Sequence, residues 1–138
     1  MKVPHIIAVS ISSALFLGMM TLSTGLALAQ SSGGEVRLSA KMLSGAASGK
    51  ADYRERGNRR RLNVEVENLP NTTPSPKAIF VNGVWVGNVT FSACPVPAQQ
   101  LLCGEMELNT QDGLATPVVT GGQIVQIGMS TAILAGMF

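Results

Sequence analysis

Eight residues hold five of the chain's six arginines. The segment Arg54-Glu55-Arg56-Gly57-Asn58-Arg59-Arg60-Arg61 carries five of them around a turn. A guanidinium is a planar fork that bonds two oxygens of a phosphate or carboxylate at once. Arg54, Arg56, Arg59, Arg60 and Arg61 are therefore candidates for contact with a polyanion: lipid phosphate, an acidic polysaccharide or an acidic partner protein. The competing reading is a solvated hairpin tip, with Arg59 and Arg61 facing Glu65, Glu67 or Glu55. Nucleic acid is not an expected partner. Basic stripes that hold single strands interleave stacking aromatics, and only Tyr53 lies nearby.

Carboxylates offer a second constellation. Glu65 and Glu67 share one strand face, as do Glu105 and Glu107. Were the two strands neighbours, four carboxylates could converge on calcium, which takes six to eight oxygen ligands. They could also supply the carboxylate pair of a glycosidase. The ordinary wet face of two strands is the simpler expectation. Calcium loops gather their acidic residues within one short turn, and none does so here.

The only histidine is His5. Residues 30–138 therefore hold no Ser-His-Asp or Cys-His mechanism and no histidine-containing zinc site. No glycine-rich phosphate loop occurs, no G-x-S-x-G occurs, and Ser48-Gly49-Lys50 does not fit S-x-x-K. The expectation is a non-enzymatic protein without a cofactor.

Lys2 and His5 open a weakly positive start, followed by the apolar run Ile6 to Met20. Ala27-Leu28-Ala29 places small residues just before Gln30, the order of a secretory signal peptide over residues 1–29. An uncleaved anchor over Ile6 to Leu28 is the alternative. No cysteine follows the run, which argues against a lipid anchor. Losing Lys2 leaves 9 basic and 8 acidic residues and a net charge of +1. The exported domain thus has no overall field pointing to nucleic acid. Export to the periplasm or medium also meets an oxidising compartment, so Cys94 and Cys103 are expected to bridge. Their C-x₈-C spacing lacks the C-x-x-C geometry of a redox pair.

Gln30 to Gly34 reads as a loose leader, and residues 35–138 as a single domain. Apolar residues then alternate with polar ones: Val36, Leu38, Ala40, Met42; Ala51, Tyr53; Leu62, Val64, Val66; Met106, Leu108. Period-2 alternation marks strands with one buried and one wet face. Ser44 to Gly49 reads as a small-residue link, Gly57-Asn58 as a hairpin turn, and Leu69 to Lys77 as a proline-rich loop. Asn82-Gly83 between Ala78–Val81 and Val84–Val86 is a strong hairpin signal. Those flanking runs are continuously apolar and predict a hairpin covered on both faces. Asp112-Gly113 and Gly121-Gly122 mark turns, and Ile124 to Met129 and Ile133 to Phe138 are the last strand candidates. Eight to ten short strands predict an all-β domain, an antiparallel β-sandwich or small barrel.

Trp85 reads as a core or sheet-edge anchor in preference to a sugar platform. Asn71-Thr72-Thr73 and Asn88-Val89-Thr90 match the N-glycosylation sequon. Phe138 ends an apolar segment, as in outer-membrane barrels. Short alternating stretches and five aromatics do not suffice for spanning strands and two girdles, so no stable membrane insertion is expected after signal cleavage.

Residues 43–53 (LSGAASGKADY), then 62–70 (LNVEVENLP), Val81-Asn82-Gly83 with Val86-Gly87, and 133–138 (ILAGMF) together resemble small exported bacterial β-proteins of unknown function. The opening half is also similar to the CHRD domain, a β-rich extracellular module. That resemblance implies a β-rich fold and export. CHRD domains usually follow the equivalent of Leu69-Pro70 with a histidine-containing motif, which this chain lacks. No catalytic or ligand-binding residue carries over. The resulting expectation is an envelope or extracellular β-domain that binds an anionic polymer or an unknown protein. The alternative is an inhibitor or chaperone-like module that binds a partner through an exposed sheet edge.

Overall fold

A computed structural model describes residues 34–138. The expected signal peptide, and all of the leader except the exposed Gly34, lie outside the described residues. The fold is all-β. Its strands are β1 (Glu35–Ser44), β2 (Ala47–Arg56), β3 (Arg59–Pro70), β4 (Lys77–Val81), β5 (Val84–Ala93), β6 (Leu101–Asn109), β7 (Ile124–Ile127) and β8 (Leu134–Met137). All pairs are antiparallel, in the order β1-β2-β3-β6-β5-β4-β7-β8. Strands β3 to β6 and strands β4 to β7 each trace a Greek key. The sheet curls until β8 packs on β1, and the wall is nearly closed into a barrel.

Alternation builds the inside. Ala40 and Met42, Ala51 and Tyr53, Leu62, Val64 and Val66 point inward and are buried, joined by Ile79, Val89, Val125, Ile127 and Leu134. The intervening residues carry charge into solvent. This polar-out, apolar-in arrangement is the reverse of a membrane-spanning barrel, whose outer band is apolar. β1, β2, β3 and β5 run ten to twelve residues, longer than the alternation alone suggested.

Local chemistry sets the corners. Asn82 and Gly83 have φ of 50° and 79°, the two positive values that a two-residue hairpin of matching twist requires. The link expected over Ser44 to Gly49 shrinks to Gly45 and Ala46, because Ala47 and Gly49 already pair with Ser44 and Met42. β3 likewise continues through Leu69 and Pro70, which pair with β6 beyond a bulge containing Asn68 at φ 59°.

The expectation that the Asn82-Gly83 hairpin is covered on both faces holds only for β4. Ile79, Phe80 and Val81 are buried there, whereas Val84 and Trp85 are exposed. The cause is a split in β5. Its first half, Val84 to Val89, pairs only with β4, and its second half, Thr90 to Ala93, pairs with β6. β5 thus turns the corner between two parts of the wall. Toward its far end β6 is paired to β3 but not to β5.

At the seam, β8 lies against β1 without a ladder. A Cβ on Gly136 would stand 2.4 Å from the Lys41 carbonyl oxygen, so only glycine permits this approach.

Candidate functional site

The arginine segment is the β2–β3 hairpin. Arg54 pairs with Arg61, Glu55 with Arg60, and Arg56 with Arg59. Strand parity divides the five arginines. Arg54, Arg56, Arg59 and Arg61 are exposed on the outer face. Arg60 shares the inward parity of Leu62 and Val64 and is half-buried at the barrel mouth. The inward run at 62, 64 and 66, continued back by two, would have shown this from sequence.

The outer face gains an arginine that the sequence reading missed. Arg37 stands opposite Arg54, and Arg54 opposite Arg61, so three arginines line up across three strands. Strand spacing puts them about 5 Å apart, and like charges so placed destabilise a bare sheet. Partial neutralisation comes from the sides. Arg37 bonds Glu35 at 2.7 Å and Arg61 bonds Glu107 at 2.7 Å. Arg61 thus pairs across to β6, not to Glu65, Glu67 or Glu55. Among the described residues, Arg54, Arg56 and Arg59 have no salt bridge. They wall a hollow of ≈ 170 Å³ with Glu55, Arg60, Arg61, Asn109 and Gln111.

The glutamates come together less fully than a metal would need. β3 and β6 are neighbours and Glu65 stands directly opposite Glu105. Glu107, however, is taken by Arg61. Among the described residues no three His, Cys, Asp or Glu side chains are grouped to hold a metal ion.

Inside the hairpin end, Tyr53 is completely buried and donates its hydroxyl proton to the Glu55 carboxylate. Burial first, and then the bond to Glu55, push the phenol up to about 12, against an opposing pull from the Val119 backbone. The folded state holds this proton more tightly than the unfolded chain. Its stabilising contribution is complete below pH 10 and is lost as pH rises toward 12. Tyr53 is the chain's single tyrosine, so tyrosinate absorbance reads it directly. The native protein should titrate near 12, and the urea-unfolded chain near 10.

Of the two places expected for Trp85, the core or a sheet edge, the structure shows the edge. It sits on the half of β5 that lacks a β6 partner and is 58% exposed. Its Nε1 donates to Asn88 Oδ1 at 3.2 Å. Beside it, the link between β6 and β7 folds over the barrel mouth. Thr110 Oγ1 accepts the Arg60 N–H at 2.9 Å, fixing a one-turn 3-10 helix over Thr110–Asp112. Thr116 and Val119 are buried farther along. Trp85, Arg60, Leu114 and Pro117 thereby line an open groove of ≈ 370 Å³.

At the far end of β5, Cys94 and Cys103 form the expected disulfide. The Cys94 N–H donates to the Leu101 carbonyl at 2.9 Å, so the bridge closes a loop at the base of the β5–β6 pair. No thiol is free among the described residues. No protein-family model matches the chain, and no curated protein or solved structure matches it.

Proposed function

We propose that this is an exported, non-enzymatic β-domain that binds an anionic polymer of the cell envelope or its surroundings. The observation that carries the reading is the arginine row on the outer face of β1–β3, with Arg54, Arg56 and Arg59 left without carboxylate partners. Facing cations destabilise one another unless a ligand's anions interleave with them. A flat sheet face with charges at strand spacing suits an extended polymer better than a compact substrate. The signal-like leader, the disulfide and the resemblance to exported β-rich modules support export to the periplasm or medium. The lack of histidine in residues 30–138 supports a binding role over catalysis.

Polygalacturonate resin is a suitable probe. Arg54→Gln, Arg59→Gln and Arg61→Gln combined should weaken retention about tenfold at low salt, taking roughly 0.5 kcal/mol per exposed charge. The difference should shrink as salt rises. Equal retention of the triple variant would refute the reading.

The divergence of β5 from β6 favours a second reading, a protein partner that adds a strand beside Val84–Val89. Such a complex would survive high salt and ignore the three arginine changes.

A further inference from the structure

We propose that the groove beside Trp85 is a sugar subsite, and that the ligand class is an acidic, carboxylate-bearing polysaccharide. One ring of the polymer stacks its apolar face on the indole while its carboxylate bonds Arg60. The inference rests on the polyanion reading for its choice of a polymer, but it concerns different residues.

Three observations converge. Trp85 offers an open aromatic face. Its polar edge is already bonded to Asn88, which holds the ring in place and leaves its faces for stacking. Arg60 is a cation whose facing carboxylate, Glu55, does not reach it as a salt bridge. Among the described residues it has no salt bridge, and its Nε is buried with no hydrogen-bond partner. Glu55, directly across the ladder, accepts the Tyr53 hydroxyl. A guanidinium without a salt bridge can take an entering carboxylate through its terminal nitrogens by charge-assisted bonds. The backbone of Arg60 is held on both its N–H and its carbonyl by Thr110, so the site is built before the ligand arrives.

The surroundings select the class. Val84, Leu114 and Pro117 make the groove apolar, and the Thr110 and Thr116 hydroxyls bordering it are already bonded to the Arg60 backbone and the Leu114 carbonyl. An apolar platform beside one cation suits a sugar acid. A bare phosphate calls for several converging donors, and only one guanidinium lies in the groove. Arg60 also lines the hollow walled by Arg54, Arg56 and Arg59. A chain leaving the Trp85 groove past Arg60 therefore meets the next cations, with Glu55 the single carboxylate lining the same hollow, and this is charge complementarity to a repeating polyanion.

Trp85 is the chain's single tryptophan, so its fluorescence reports the groove. Trigalacturonate should produce a saturable change that weakens about ten- to hundredfold in Arg60→Gln. Trp85→Ala, an exposed position whose loss the fold tolerates, should abolish trigalacturonate heat in titration calorimetry. No saturable change with the native protein would overturn the proposal. So would an equal response to neutral maltotriose, to inorganic phosphate or to phosphatidylglycerol vesicles. Full trigalacturonate binding by Trp85→Ala would overturn it as well. Loss of polygalacturonate retention in the outer-face triple variant, with no trigalacturonate response at Trp85, would sink the groove and leave the polymer reading standing. The converse pair of results would sink the outer face and leave the groove.

Discussion

Tyr53→Ala should cost about 3–5 kcal/mol, the largest loss expected from any single change in this fold. The ring is completely buried, and no aromatic of comparable size stands behind it in the inward layer of β1, β2 and β3. Truncation leaves a cavity between strands fixed by ladders on both sides, so the wall has little freedom to collapse into it. It also strips the Glu55 carboxylate of its donor. Tyr53→Phe separates the two contributions. It keeps the volume and should cost about 1–2 kcal/mol for the lost bond to a charged group. Urea unfolding followed by far-ultraviolet circular dichroism gives both values. A domain of this size has only about 5–15 kcal/mol to lose. Equal stability of Tyr53→Ala and the native protein would show that the ring is not packed as described.

Removing the disulfide ranks second. Closing a loop of about ten residues restricts the unfolded chain by roughly 2.7 kcal/mol in the chain-entropy account. Cys94→Ala with Cys103→Ala should therefore lower Tm by about 10–20 °C. The effect belongs to the unfolded state, because β5 and β6 remain joined by Ala93 with Leu102 and by Cys94 with Leu101. Thermal denaturation with and without reductant checks it. The double variant should be insensitive to reductant and match the reduced native protein.

The inner layer could be read from the chain because burial follows parity. Met42, Ala51, Tyr53, Leu62 and Val64 each obey a two-residue rule that needs no partner strand. Turn residues were legible for the same local reason, as Asn82 and Gly83 illustrate. What escaped depends on which strands meet. The Arg61–Glu107 bridge requires β3 beside β6, and the Greek-key order that puts them together leaves no mark in either strand. The sequence leaves Trp85 open between core and sheet edge, and the parting of β5 from β6 decides for the edge, in solvent. Arg60 sits among four arginines that face the other way, and parity alone separates it from them.

The seam between β1 and β8 bears on the order in which the barrel is made. Hairpins β1–β2 and β2–β3 close short loops and can form early, each contact lowering the entropy cost of the next. Lys41 and Gly136 come from nearly opposite ends of the described chain, so their contact spends the freedom of everything between them. With no ladder to template it, this junction is chosen by shape alone: a glycine backbone seated on a carbonyl, over Met42 and Leu134. Closure therefore comes last, as the step that brings the two margins of a curled sheet together. Until then the ten-residue margin of β1 is open to the same margin of another molecule.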